Sequence, residues 1–412
     1  MTSNLRQDAP RLPLAGVRVV DFSRLLPGPW CTQMLGDLGA EVIKVEQPGI
    51  GDFSRHNPPN YRSGSAYFNS VNRHKRSLAV DLSSKEGRKV AHRLIDWADV
   101  VVESFRLGVP AKLGIDYETS RKLNERVIYC SITGFGQSGP YAAIPGHDLV
   151  VQAASGVVGV AAENGKASVP GFQAADYAAA NYAVMGILAA LYRRRDTGSG
   201  CFLDVSMFDS LISMNNIVLC AGMARAAGYE GRPTMQVWGA NPRYATYVAK
   251  DRRSVAVSLL EARTWKVFCD VIGRPDLVSA DETPSDRHTD HGERSALYRG
   301  AIQEYCARFD REELIANMLA ANIPISPVSD PDEVMRDEHV VARKLIEWVD
   351  HPAEGRIPQL SNPLAMSGLA DTRGLPAPSL GADSEAILAD LGFTKDERVQ
   401  MRRAGVIATS GA

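Results

Sequence analysis

The feature that most constrains this chain is an alternation, between residues 17 and 205, of short β-branched apolar runs with helical patterns. Val17-Arg18-Val19-Val20-Asp21-Phe22 reads as a strand, and runs at 41–45, 77–82, 99–103 and 127–132 read the same way. These runs are apolar on nearly every residue, so both faces of the sheet they form are covered. The intervening helical patterns include 30–38, stopped by Gly39, and one capped by Ser83 or Ser84 that runs to residue 98. Strands separated by helices form right-handed βαβ units on a parallel sheet. The expected class is therefore α/β, a Rossmann-like large domain.

The longest helical pattern, 176–195, ends in Arg193-Arg194-Arg195, which suits a helix C-terminus, and a strand follows at 201–205. Residues 229–242, rich in Gly, Pro and polar groups, read as a linker. Beyond it a hairpin at 244–248 and 254–258 precedes amphipathic helices at 261–272, 297–308 and 311–320. This change of pattern marks a smaller α+β domain. Strand 346–349 and helix 386–391 then close the chain. The expected division is 1–225 for the large domain, 226–330 for the small one, and 331–412 returning to the large one.

Composition narrows the partners. With 46 basic and 48 acidic side chains the net charge is −2, so no basic footprint marks nucleic acid or an anionic membrane surface. The most apolar stretch, around residues 183–192, is shorter than the roughly 20 residues of a spanning helix. Residues 1–16 contain no apolar core of a secretory signal. Six cysteines stand far apart without CxxC or metal-ligand spacing, so reduced, buried thiols are expected, with no metal. The expectation is a soluble cytoplasmic protein that recognises any charged partner locally.

Gly134-Phe135-Gly136-Gln137-Ser138-Gly139 is a literal GxGxxG after a strand. The dinucleotide fingerprint requires a helix to open within it, whereas Pro140, Pro145 and Gly146 follow, which favours a glycine-rich active-site loop over NAD binding. Lys75 and Arg76 enter a strand either as a solvated edge or as phosphate contacts. Ser104 and Phe105 end another strand, where parallel sheets place ligands, and Phe105 can stack on a ring or join the core. Asp176 opens the apolar helix among Ala174, Ala175, Ala178 and Ala179, either as a cap or as a nucleophile or base that a substrate can approach closely. His147 reads alone as a structural histidine and Glu261 as a helix-terminal charge.

Taken together, the chain resembles the family III CoA-transferases, the group that includes formyl-CoA and carnitine CoA-transferases and α-methylacyl-CoA racemases. The likeness runs from Leu14-Ala15-Gly16-Val17 through Pro27-Gly28-Pro29, Leu35-Gly36-Asp37-Leu38-Gly39-Ala40-Glu41-Val42 and Val102-Glu103-Ser104-Phe105. It continues through Lys112-Leu113-Gly114, Gly134-Phe135-Gly136 and Gly186-Ile187-Leu188-Ala189-Ala190-Leu191. The resemblance implies an interlocked homodimer, and coenzyme A held near Lys75, Arg76, Ser104, Phe105 and Lys112. It also implies Asp176 as the nucleophile that carries the acyl group from an acyl-CoA to an organic acid. His147, Asp176 and Glu261 also match the racemase branch's catalytic histidine, aspartate and supporting glutamate. Gln152-Ala153-Ala154-Ser155-Gly156 and the segment 323–328 resemble the transferase branch. CoA transfer is the leading expectation and racemisation the alternative. An inactive CoA-binding scaffold is a third reading. A specificity pocket at the domain junction is placed around Trp238, Asn241, Arg243 and Tyr244.

Overall fold

The computed structural model describes residues 12–160, 167–229, 239–371 and 374–409. In chain order, β1 (Arg18–Asp21), α1 (Pro27–Asp37), β2 (Glu41–Glu46), α2 (Ala66–Ser70), β3 (Lys75–Val80), α3 (Lys85–Trp97) and β4 (Val100–Glu103) come first. Then come α4 (Val109–Leu113), α5 (Tyr117–Leu123), β5 (Ile128–Thr133), α6 (Asp148–Ala154), α7 (Val157–Val160), α8 (Ala174–Thr197) and β6 (Cys201–Ser206). The remaining elements used below are α9 (Met207–Met214), α10 (Asn216–Ala226), β7 (Tyr244–Val248), β8 (Ser254–Ser258), α11 (Ala262–Val271), α12 (Ser295–Cys306), α13 (Arg311–Ala320) and β9 (Ile325–Pro327). Strands β10 (Ile346–His351), β11 (Gly355–Leu360) and β12 (Ile407–Ala408) complete the set.

Two compact units result. One comprises Met1–Ser155, Val169–Met214 and Glu338–Ala412; the other comprises Gly156–Ser168 and Asn215–Asp337, a wider span than the 226–330 read from the sequence. In the first unit seven strands lie in the order β12-β3-β2-β1-β4-β5-β6, parallel except for β12. Leaving out β12, this is the doubly wound order 3-2-1-4-5-6, whose direction reverses between β1 and β4. A crevice at the carboxyl ends of those two strands is where such sheets take ligands.

Local chemistry explains the boundaries. Helix α1 starts at Pro27, earlier than expected, because proline's fixed φ and missing N–H suit a first turn. In α3, Ser84 is the cap, its Oγ accepting the Gly87 N–H, and Val90, Ala91, Leu94 and Ile95 are fully buried. Each larger side chain of that face contributes about 1.5–3 kcal/mol. Strand β3 starts at Lys75, two residues before the apolar run, for a reason given below.

The C-terminal stretch completes the same core, with Ile387, Leu388, Phe393, Met401 and Ile407 joining Val20, Ile43, Leu78 and Val101. A buried latch ties the stretch down. Arg73 pairs with both oxygens of Asp37 at 2.6 and 2.5 Å and donates to the Leu360 carbonyl at 2.6 Å, while Asn362 Nδ2 reaches Asp37 at 3.0 Å. Asp37→Asn leaves the Arg73 guanidinium buried without a counter-ion and is expected to cost about 2 kcal/mol in urea unfolding.

Helix α8 is longer than the apolar stretch read from the sequence. By length and composition it would suffice to cross a bilayer. It is packed along the sheet, burying Ala175, Ala178, Ala179, Ala180, Ala183, Ile187 and Ala190.

The second unit has its own core, in which Trp265, Phe268, Tyr298, Ile302, Leu314 and Met318 from α11, α12 and α13 pack under the antiparallel sheet β7-β8-β9. Residues 230–238 of the expected linker, Trp238 included, lie outside the described residues.

Candidate active site

Asp176 is the third residue of α8, whose N-cap residue Gln173 supplies no side-chain hydrogen bond. The missing cap comes from another helix. Asp148, first residue of α6, accepts the N–H groups of Ala175 at 2.8 Å and Asp176 at 3.2 Å on its Oδ1. Asp176 is therefore not the cap, and among the described residues its carboxylate has no hydrogen-bond or ion-pair partner. Burial, and then the charge of Asp148, push its pKa up from 3.8 to about 7. A carboxylate that is desolvated, unpaired and reactive near neutrality is chemically a nucleophile or base.

Aromatic rings surround this helix start. Phe172 stacks on Tyr177 with centroids 5.1 Å apart, and Trp30 meets Tyr177 edge-on at 5.6 Å. The Tyr67 phenol on α2 is held above its usual range by burial and by the charge of Asp176. His147 directly precedes Asp148 and so stands at the same helix start; its ring is exposed, with no partner among the described residues. Glu261 lies in the second unit at the start of α11, where its carboxylate pairs with Arg287 at 3.1 Å.

At the switch point between β1 and β4 a cleft of about 320 Å³ is lined by Ser23, Arg24, Asp52, Leu82, Phe105 and Leu113, among others. Arg24 was not anticipated from the sequence. Its guanidinium lies 4.7 Å from the Phe105 ring centre and 5.3 Å from that of Phe53, half-buried and without an ion pair among the described residues. Ser104 Oγ accepts the Arg24 N–H at 3.0 Å. The next residue, Leu25, takes a left-handed φ of 66°, and its N–H is held by both oxygens of Asp52 at 3.1 and 3.2 Å. Of the residues expected to hold coenzyme A, Ser104 thus fixes the loop and Phe105 lines the cleft. Lys112 is exposed in the last turn of α4, next to cleft-lining Leu113.

Lys75 and Arg76 are placed otherwise. The Lys75 side chain has no exposed surface. Its ammonium donates to Asp21 at 3.0 Å, the Pro29 carbonyl at 2.8 Å and Asn72 at 2.9 Å. This departs from the expected phosphate contact, since all three donors are spent inside the protein. It also explains why a cation begins the buried strand β3. Burial lowers the pKa of Lys75 from 10.5 to about 8, with Asp21 opposing the shift. Beside it Lys44 pairs with Asp52 at 2.9 Å, so two lysines balance two aspartates in one buried network. Arg76 pairs with Glu41 and Asp390, each at 2.9 Å. It lies four residues before Val80, roughly 13 Å along the strand from the cleft.

Two further expectations resolve. No helix opens within Gly134–Gly139; Gly136 and Gly139 take φ of 84° and 85°, and the next helix is α6. In the second unit, Asn241 and Arg243 are fully buried. Arg243 is spent on Glu282 at 2.7 Å and the Leu259 and Leu260 carbonyls, so it holds that unit's core together. Tyr244 is exposed on β7.

This site sits within a recognisable whole. The sequence model described as CoA-transferase family III matches residues 14–384. A succinate–glutarate CoA-transferase of Agrobacterium fabrum is 34% identical over 391 residues, covering 92% of this chain and 96% of its own. A succinyl-CoA:mesaconate CoA-transferase of Haloarcula hispanica is 34% identical over 405 residues, covering 94% and 98%. Among solved structures, a CAIB/BAIF family protein from Brucella suis superposes with a TM-score of 0.79 at 31% identity, covering 92% of this chain and 100% of that one. The chain belongs to CoA-transferase family III and is an enzyme that transfers coenzyme A.

Proposed function

We propose that this enzyme moves CoA between dicarboxylic acids through covalent intermediates on Asp176. An oxygen of the Asp176 carboxylate attacks the acyl-CoA carbonyl; the C–S bond breaks and CoA leaves as the thiolate, giving an acyl-aspartyl anhydride. The thiolate then attacks the aspartyl carbonyl and releases the first acid, leaving an aspartyl-CoA thioester. The acceptor carboxylate displaces the thiolate, and the thiolate finally attacks the acceptor's carbonyl, which restores Asp176. Each step exchanges one activated acyl group for another, so the activation of the thioester is carried through the cycle. The observation that carries this reading is the unpaired Asp176 carboxylate on a helix start capped by Asp148 instead. The names of the two relatives support dicarboxylates as the substrate class.

Coenzyme A is assigned to the cleft at the switch point. Arg24 and Lys112 offer positive charge to its phosphates and Phe105 a face for its ring. Arg24→Ala is expected to raise KM for acyl-CoA roughly tenfold while kcat changes far less, because a charge-assisted contact is lost equally from ground and transition states. Steady-state kinetics with varied acyl-CoA checks this.

The proposed assembly is an interlocked homodimer. Support comes from α10, an apolar helix with none of its residues buried within the chain, on which Ile217 and Met223 are about half exposed. Six free cysteines support a reducing, cytoplasmic setting.

Incubation with succinyl-CoA and a panel of dicarboxylic acids should yield new acyl-CoA esters by mass spectrometry. If no acid accepts CoA, this substrate class is wrong. A second reading, α-proton exchange on 2-methylacyl-CoA by His147 and Asp176 with Glu261 in support, is favoured by the free His147 ring beside α8. It requires solvent deuterium to enter the α-position without an acceptor acid, and the transfer reading expects none.

A further inference from the structure

Asp148 and Gln152 stand four residues apart on α6, the spacing that brings two side chains onto one helix face. Gln152 is 1% exposed. Its Nε2 donates to Asp148 Oδ2 at 2.5 Å and to the Phe172 carbonyl at 2.9 Å. Both partners are acceptors, so the amide can face them only through its NH₂ group, and its buried Oε1 is left without a partner among the described residues. Phe172 belongs to the segment entering α8. One side chain thus ties the carboxylate that caps the nucleophile's helix to the chain that leads into that helix. With Ala175, Asp176 and Gln152 all donating, Asp148 is held in one orientation.

We propose that Gln152 is a positioning residue for the nucleophile, acting through Asp148 to fix both the place of the Asp176 carboxylate and the charge it faces. This rests on the reading of Asp176 as the covalent nucleophile. The groups facing Asp176 are Asp148 from α6, Tyr67 from α2, Tyr177 from its own helix and the exposed His147 at the start of α6. Asp148 is the one whose charge raises Asp176, so loosening Asp148 has a predictable sign. Without its Gln152 donor, Asp148 is free to turn away from Asp176. That movement relieves the repulsion and lowers the pKa of Asp176.

In Gln152→Leu, kcat should fall about tenfold to a hundredfold with KM for acyl-CoA little changed. The acid limb of the kcat/KM profile should move down by about one pH unit. Asp148→Asn should move the limb the same way, and adding Gln152→Leu to it should cause no further shift, since coupled residues are not additive. If Gln152→Leu does not fold, Gln152→Asn, which keeps the amide but withdraws it by one methylene, takes the same readouts. A fall in kcat with an unmoved acid limb, or additive effects in the double variant, overturns the proposal. Hydroxylamine trapping on the unmodified enzyme separates the two levels. An adduct on Asp176 together with unresponsive Gln152 variants defeats this inference alone, whereas no adduct defeats the nucleophile reading beneath it.

Discussion

Asp176→Asn is expected to lower CoA transfer by about 10³-fold or more, the largest effect of any single change, because the amide can form neither anhydride nor thioester. The same substitution should stabilise the protein above neutrality. The folded-state pKa of Asp176 is raised from 3.8 to about 7, so between about pH 4 and 7 the native state binds more protons than the unfolded one. Stability therefore falls as pH rises through that window, and above 7 the native state carries the full cost of a desolvated charge. Asparagine has no charge to bury. The variant should match the parent near pH 4 and exceed it by on the order of 1–2 kcal/mol at pH 8, a figure kept small because the side chain is partly exposed. Equal stabilities at pH 8 would show that Asp176 is not desolvated. The same titration should make activity rise with pH to a plateau above about 7.

The largest loss of stability is expected from Asp21→Ala. Asp21 has no exposed surface, accepts from Lys75 and Thr32 at 3.0 and 2.7 Å and from the Ser23 N–H at 2.9 Å, and is held well below the usual carboxylate range by Lys75 and Lys44 despite its burial. Removing it leaves the Lys75 ammonium buried without its paired carboxylate, while Lys44 keeps Asp52. Breaking a buried pair from one side costs about 3–5 kcal/mol, measurable by urea denaturation. Lys75→Met tests the corrected role of that residue. It should lower stability by a smaller amount and leave KM for acyl-CoA unchanged. A large rise in KM at unchanged stability would restore Lys75 as a phosphate contact.

These cases show where sequence reasoning reaches and where it stops. The parallel sheet was legible because periodicity and β-branching are local properties, and the hairpin at 244–248 and 254–258 was placed to the residue. The start of β3 was not, because a lysine enters a buried strand only if distant groups, here Asp21, Pro29 and Asn72, satisfy its ammonium. Lys75 and Arg76 read as a basic cluster beside a ligand. Strand direction sends Arg76 to the amino half of the sheet and folds Lys75 inward. Arg24 was missed, although a cation following the first strand of a doubly wound sheet points straight at the switch point. Asp176 was found at a helix start, but its standing as an unpaired carboxylate depends on a cap borrowed from Asp148 through tertiary contact. Gln152 carried a motif resemblance without a role, since its task appears only once Asp148 and Phe172 are seen to converge on it.

The most direct test of the account is a covalent trap. The enzyme is incubated with acyl-CoA, quenched with hydroxylamine, digested and mapped by mass spectrometry. The predicted result is a hydroxamate on Asp176 that requires acyl-CoA, weakens below pH 7 and is absent from Asp176→Asn. Continued CoA transfer with Asp176 unmodified, or by the Asp176→Asn variant, would contradict it.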